Sequence, residues 1–152
     1  MAAERTLILL KPDAVQRRLA GRILNRFEEK GLKIVAMKLM QISRDLAERH
    51  YAPHKGKGFF EPLVKFMTGS PVVALILEGP SAVDVARKMM GATFGHKAEP
   101  GTIRGDFGIS NQYNLVHGSD SKESADREIG LFFTPKEILE YRTADEALHA
   151  TE

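Results

Sequence analysis

An imidazole set between an apolar pair and a helix start is the first sign of chemistry in this chain. In Asn114-Leu115-Val116-His117-Gly118-Ser119-Asp120-Ser121, Leu115 and Val116 suit the end of a buried strand and Gly118 permits a sharp turn. Asp120 or Ser121 can then cap a helix over Lys122 to Gly130. A histidine held there is either a packed structural residue or a nucleophile. As a nucleophile it needs a second group to orient the ring, and Glu128, about two helical turns downstream, supplies a carboxylate. The spacing equally allows Glu128 to pair at the surface with Arg127 or Lys122, and Ser119 either links histidine to carboxylate or satisfies the turn.

Phosphoryl transfer is one reaction such a histidine can serve, and it needs cations and hydrogen-bond donors placed around phosphate oxygens. Lys11 at a strand end, Arg87 on a helix and Arg104 in a glycine-rich stretch are candidates. Each alone reads as a solvated charge, but their positions at element ends favour convergence around an anion. Phe59, after Lys55-Gly56-Lys57-Gly58, is either helix-start packing or a stacking face for a nucleobase. Other nucleotide and metal signatures are missing. There is no G-x-x-x-x-G-K-[ST] loop, and no G-x-G-x-x-G follows the first strand. His50 and His54 have the spacing of a helical metal pair, but Pro53 interrupts them and no local carboxylate completes a set, so they read as structural or surface histidines. Lys55 and Lys57 with Phe59 and Phe60 form one basic-aromatic strip without a second, and no nucleic-acid partner is expected.

The elements that must position these residues follow from the apolar pattern. Arg5 to Lys11 reads as a buried strand, Pro12-Asp13 opens helical turns that continue through Gly21 to Lys30, and Gly31 ends them. Lys33 to Ile42 is a second strand. A helix capped by Ser43 and ending at His50, with another over Phe60 to Thr68, suggests a helical hairpin insertion. Pro71 to Leu77 is a third strand, and Ser81-Ala82-Val83-Asp84 resembles a capping box for a helix ending at Gly91. Gly91 to Tyr113 shows no period and reads as a long ordered loop, after which a short fourth strand leads into His117. Thr134-Pro135-Lys136-Glu137 caps one more short helix. The order βαββαβ predicts an α+β, ferredoxin-like sandwich: a four-stranded antiparallel sheet covered by helices on one face.

Composition sets the frame around that fold. A chain of 152 residues with 43% hydrophobic content can bury one core, so a single 1–152 domain is expected. Without cysteine there are no disulfides, thiolate metal sites or thiol nucleophiles, and a cytoplasmic setting is the simplest. Leu7 to Leu10 and Val72 to Leu77 are far too short to span a membrane, Met1 to Thr6 carries no signal core, and a net charge of +2 is spread without a basic block.

Four segments, in order, carry a resemblance: LLKPDAV from Leu9 to Val15, HYAPHKGKGFF from His50 to Phe60, PGTIRGDFG from Pro100 to Gly108, and NLVHGSDS. Together they resemble the nucleoside-diphosphate kinase family over about residues 5–133, leaving 134–152 as a C-terminal extension. The resemblance implies ping-pong transfer of a γ-phosphate from a nucleoside triphosphate to a diphosphate through a phosphohistidine on His117, which maintains NTP and dNTP pools. It implies Mg²⁺ held mainly by nucleotide phosphates and water. Lys11 would meet the sugar hydroxyl and the transferring phosphate, Tyr51 would support that group, and Arg87, Thr93 and Arg104 would hold the phosphates. Asn114 would bind ribose, Phe59 would stack on the base above Leu63, and Ser119 with Glu128 would position the histidine. Nucleoside di- and triphosphates are the implied partners, with self-association into a hexamer favoured by the long tail and a tetramer as the alternative. Base specificity is expected to be broad. Asn111-Gln112-Tyr113 stands where many relatives carry Val-Gly-Arg, which is expected to alter the base contact. Phe94-Gly95-His96 replaces the usual Asn-Pro or Asp-Pro and is expected to change loop mobility. A catalytically silent nucleotide-sensing or nucleic-acid-binding relative is the alternative, and the complete His117 set argues against it.

Overall fold

A computed structural model describes residues 3–148, so the outer ends of the 1–152 domain expectation lie outside the described residues. Strand β1 (Glu4–Leu10) buries Leu7, Ile8, Leu9 and Leu10 completely. Pro12 fits the first turn of α1 (Pro12–Gln16), where its missing N–H costs nothing. The helical path breaks at Arg18, left-handed at φ 58°, and resumes as α2 (Ala20–Lys30), which Gly31 terminates at φ 103°. Strand β2 (Lys33–Met40) leads to α3 (Arg44–His50), whose cap Ser43 accepts a hydrogen bond from the Leu46 N–H at 3.1 Å. Helix α4 (Phe60–Thr68), strand β3 (Val72–Gly79) and helix α5 (Ala82–Met90) follow.

The stretch expected to be loop contains a short helix, α6 (Ile103–Phe107). Thr102 caps it through its hydroxyl, which accepts from the Gly105 N–H at 3.0 Å, and Ile103 is fully buried. One turn is too short to show a period, which is why the pattern missed it. Strand β4 (Val116–Gly118) and helix α7 (Lys122–Phe132) close the core. Ser121, not Asp120, caps α7 by accepting from the Ser124 N–H at 3.1 Å. The expected capping box at Ser81 is not formed either: Ser81 is left-handed at φ 51° and makes no side-chain cap, and the Glu4 carboxylate takes the Val83 N–H at 3.3 Å.

The four strands are all antiparallel in the order β2-β3-β1-β4, the ferredoxin-like arrangement. Helices cover both faces of the sheet rather than one. Leu7, Leu9, Ala74 and Ile76 pack under α3, α4 and α7, whereas Ile8, Leu10, Leu75 and Leu77 pack under α2, α5 and α6. The sequence already held the reason, because Leu7 to Leu10 is apolar at every position and a strand wet on one face would alternate. Each such side chain contributes about 1.5–3 kcal/mol on burial, so neither face could be left open without large loss. Register then places the imidazole. His117 lies opposite Leu9 and Val116 opposite Leu10, so His117 shares the face covered by α3 and α7.

Candidate active site

His117 sits in the middle of the short β4 rather than just past its end, and the turn before it is built by Leu115. Leu115 has φ 75°, and the Val116 N–H donates to the Asn114 carbonyl at 2.9 Å, two residues apart. That pairing identifies the strained, positive-φ form of the γ-turn. Two bonds from one segment hold it: the Leu115 N–H donates to Asp13 Oδ2 at 3.0 Å, and the Leu115 carbonyl accepts from the Lys11 N–H at 2.8 Å. Lys11-Pro12-Asp13 therefore fixes the backbone that aims both Asn114 and His117. Gly118 is needed for clearance rather than for turning, because a Cβ there would lie 2.6 Å from Met90 Sδ.

The ring of His117 is oriented from α7. Its Nε2 lies 2.9 Å from Glu128 Oε1, and the same oxygen accepts from the Ser119 hydroxyl at 2.8 Å. Glu128 is buried, with Oε1 given to His117 and Ser119, and its other oxygen, Oε2, still lies 4.0 Å from Arg127, so the pairing that spacing allowed coexists with the inward one. Burial would raise its pKa, but the hydrogen bond and charge of His117 and the Ser119 hydroxyl outweigh it and hold the carboxyl below its ordinary range. An ionised Glu128 only accepts, so Nε2 carries the proton and Nδ1 carries the lone pair. Among the described residues no hydrogen bond reaches Nδ1.

The cleft beside this ring measures about 360 Å³ and is lined by every residue expected at the site except Ser119, which stands behind Glu128. Lys11 is almost wholly buried, and its Nζ donates to Asn114 Oδ1 at 2.8 Å, while Asn114 Nδ2 donates to the Thr93 carbonyl at 2.8 Å. Burial and then the Arg104 charge lower the Lys11 pKa to about 8, against the opposing pull of Asp13. Arg104 is buried too, and three of its donors meet the carbonyls of Asn114 (3.2 Å), Gly91 (2.9 Å) and Val116 (2.7 Å). A guanidinium has five N–H groups, so two remain for a ligand. Burial, then Arg87, lowers its pKa to about 10, and it stays charged at neutral pH. Arg87 donates to the Gly118 carbonyl at 3.1 Å. These contacts tie the cations to the same strand that carries His117.

At the other end of the cleft Phe59 is half exposed at the start of α4, with the His54 ring 5.2 Å away and the Lys57 ammonium 5.7 Å above it. Leu63, one turn on, is half-buried beside it. Tyr51 is buried with a hydroxyl that meets no partner among the described residues, and burial, then the Glu128 charge, raises its pKa, so it remains a donor. Tyr113, from the divergent triplet, packs edge-on against Phe66 with centroids 5.0 Å apart, and Ser110 Oγ accepts from the N–H groups of Gln112 and Tyr113 at 3.2 Å each. Sequence reasoning missed Arg127 and the role of His50. Arg127 lines the cleft while donating to the carbonyls of Arg49 and His50 at 3.1 and 3.2 Å. Spacing relates His50 only to His54, four residues on, whereas its ring lies 4.8 Å from that of His117 on another element, a proximity no local spacing can show.

A separate hollow of about 390 Å³ lies between β1, β2 and the C-terminal tail. Its charges neutralise one another through Arg5–Glu78, Lys33–Glu78 and Lys33–Glu146, so it offers a polyanion nothing comparable.

Comparisons with known proteins show the family and the fold. The family model for nucleoside diphosphate kinase matches residues 4–138. The chain is 53% identical to the nucleoside diphosphate kinase of Thermoplasma acidophilum over 146 residues, covering 96% of this chain and 99% of that one. Among solved structures, a halophilic nucleoside diphosphate kinase from Halobacterium salinarum in complex with CDP superposes with a TM-score of 0.95 at 46% identity, covering 97% and 98% of the two chains. The Borrelia burgdorferi nucleoside-diphosphate kinase, solved as a transition state mimic with bound vanadate and ADP, gives 0.91 at 38% identity over 97% of each chain.

Proposed function

The chain belongs to the nucleoside diphosphate kinase family and is a phosphotransferase, and from that premise we propose that His117 carries the phosphoryl group between a nucleoside triphosphate and a diphosphate. One observation carries the assignment. Glu128, itself held by the Ser119 hydroxyl, accepts from Nε2–H, which leaves the Nδ1 lone pair of an imidazole that borders a cleft lined by Lys11, Arg87, Arg104 and Arg127. The Nδ1 lone pair attacks the γ-phosphorus, the N–P bond forms, and the bond from that phosphorus to the bridging oxygen breaks as the diphosphate leaves. Nε2 keeps its proton, and Glu128 compensates the charge that the ring acquires. A second diphosphate then attacks the phosphohistidine, and the same groups run the step in reverse.

The other roles follow from placement. Lys11 and Asn114, joined by their hydrogen bond, meet the sugar and the transferring phosphate together. Arg87, Arg104 and Thr93 take the remaining phosphate oxygens, and Tyr51 supports the transferring group with its unpartnered hydroxyl. Phe59 and Leu63 offer a flat apolar platform that reads no base edge, which supports broad use of purine and pyrimidine, ribo and deoxyribo nucleotides and hence balanced NTP and dNTP pools. Mg²⁺ fits this site as a passenger of the nucleotide, because a hard cation is best met by phosphate oxygens and water. When bound, it supplies neutralisation of phosphate charge. A silent nucleotide-sensing relative would have no need of the ordered Ser119–Glu128–His117 chain. The test is brief incubation with γ-labelled ATP and Mg²⁺: an acid-labile, alkali-stable label should form on the protein and chase onto several added diphosphates, and absence of the label overturns the proposal.

A pH dependence follows from Lys11. Its ammonium is lost as pH rises through about 8, so kcat/KM is expected to fall above that pH. Its contribution to stability runs the other way. Between about 8 and its ordinary 10.5 the unfolded chain holds a proton that folded Lys11 has released, so this residue favours the fold increasingly as pH rises. Activity lost with Tm unchanged or raised marks the site rather than unfolding, and a rate profile flat to pH 10 would refute the role of Lys11.

The whole chain is proposed to act as one catalytic domain in the cytoplasm, the compartment its cysteine-free sequence suits. Among the described residues no helix is long and apolar enough to cross a membrane. Self-assembly into a hexamer is proposed from the long tail, which lies against β2 through a bond from the Leu139 N–H to the Val35 carbonyl at 2.9 Å. Light scattering should return the mass of six chains, and a mass of four would reject it.

A further inference from the structure

His50 has no role in the transfer described above, yet it is the most conspicuous polar group beneath it. Its side chain is buried at 3% exposure, and neither ring nitrogen meets a hydrogen-bond partner among the described residues. A buried imidazole left unpaired is costly, which asks for a ligand. Its ring stands edge-on to His117 at 4.8 Å between centroids and 82° between planes, and to Tyr51 and Phe132 at 4.5 and 5.2 Å. One ligand atom from each of His50, His117 and Glu128 can be chosen so that all three lie within 4.8 Å of one another.

We propose that His50, His117 and Glu128 form a site for a borderline divalent cation such as Zn²⁺, and that the bound ion switches off the phosphoryl-accepting nitrogen. Two imidazoles and a carboxylate are a common zinc donor set, whereas Mg²⁺ prefers oxygen alone, so the site separates inhibitory from supporting metal. Bonds of about 2.1 Å in a tetrahedron place ligand atoms about 3.4 Å apart, so side-chain rotation must close the widest pair by roughly 1.4 Å. All three residues border the cleft, which leaves a fourth position for water.

The consequence for chemistry lies in the tautomer. With Glu128 as acceptor, Nε2 holds the proton and Nδ1 the lone pair. A metal shared between His117 and Glu128 takes the nitrogen that faces the carboxylate at 2.9 Å, so the Nε2 proton leaves to solvent and another settles on Nδ1, with no net release. Nδ1–H has no lone pair in the ring plane and cannot attack phosphorus. Conversely, a phosphoryl group on Nδ1 keeps Nε2 protonated toward Glu128, so phosphorylation and metal binding exclude each other by linkage. The switching part rests on His117 being the phosphoryl carrier, while the binding part does not.

Zinc alone, titrated into nucleotide-free protein against a chromophoric indicator, is expected to bind at one ion per chain. His50→Phe, which keeps the ring packing against Tyr51 and Phe132, should weaken that binding by about tenfold or more. Protein first phosphorylated with ATP and Mg²⁺ and then desalted should bind zinc more weakly by a similar factor. Label uptake from ATP should be less sensitive to zinc in the variant than in the parent, and chelation of zinc by nucleotide affects both alike. Absence of micromolar binding, or equal affinity in His50→Phe, overturns the site. Should that variant not fold, imidazole ¹⁵N spectra of the parent decide: zinc must shift Nε2 of His117 and one nitrogen of His50, and shifts confined to other histidines overturn it. If the zinc-free protein takes no label at all, the carrier reading fails while the titration still judges the site.

Discussion

Replacing His117 by alanine is expected to abolish the labelled phosphoprotein and to cut turnover by roughly 100,000-fold or more, because the substitution removes the nitrogen proposed to carry the phosphoryl group between nucleotides. Cationic residues and the base platform remain, so the variant should still bind nucleotide. Folding should survive. His117 is partly exposed, Glu128 keeps the Ser119 hydroxyl, and the β1–β4 ladder is made by backbone. Circular dichroism and a cooperative melt within a few degrees of the parent would establish that, and measurable label on the folded variant would show that another residue carries the phosphoryl group.

Residue types alone offered His117, Ser119, Glu128, Lys11, Arg87, Arg104 and Phe59 as open candidates, and only the family resemblance added Tyr51, Leu63, Thr93 and Asn114. Strands, crossover helices and their order emerged from apolar runs and from Pro12, Gly31 and Ser43, because local punctuation and period act over a few residues. The covering of both sheet faces is readable in the unbroken apolar run Leu7 to Leu10, whereas element order alone suggests helices on one face. Leu115 misled for a different reason. A leucine suits a strand, and nothing in its neighbours announces that Asp13 and Lys11, more than a hundred residues earlier, hold it in a left-handed turn. Arg104 was read as a cation for phosphates, yet three of its donors support the carbonyls around β4, so it builds the site as well as charging it. His50 shows the same limit, since contacts between α3 and β4 belong to the packing and leave no spacing in the chain.

Glu128 separates orientation from charge, and two substitutions should resolve them. One oxygen, Oε1, accepts from both His117 Nε2 and the Ser119 hydroxyl. In Glu128→Gln an amide oxygen kept in that place by Ser119 still accepts both bonds, so the reactive tautomer survives and only the negative charge is lost. Exchanging a charge-assisted bond for a neutral one costs about 1–1.5 kcal/mol, or roughly tenfold in rate, and it should fall on the step that makes the ring cationic. Glu128→Ala removes the acceptor altogether. The ring is then free to rotate and to populate the Nδ1–H form, and a loss of roughly 100- to 1,000-fold in phosphoprotein formation is expected, with nucleotide affinity little changed. Single-turnover labelling separates the two effects. Equal losses in the Gln and Ala variants would mean that charge alone matters and that Ser119 and Glu128 do not select the tautomer, whereas a Gln variant as slow as His117→Ala would mean that its amide has flipped to donate to Nε2 and trapped the inactive one.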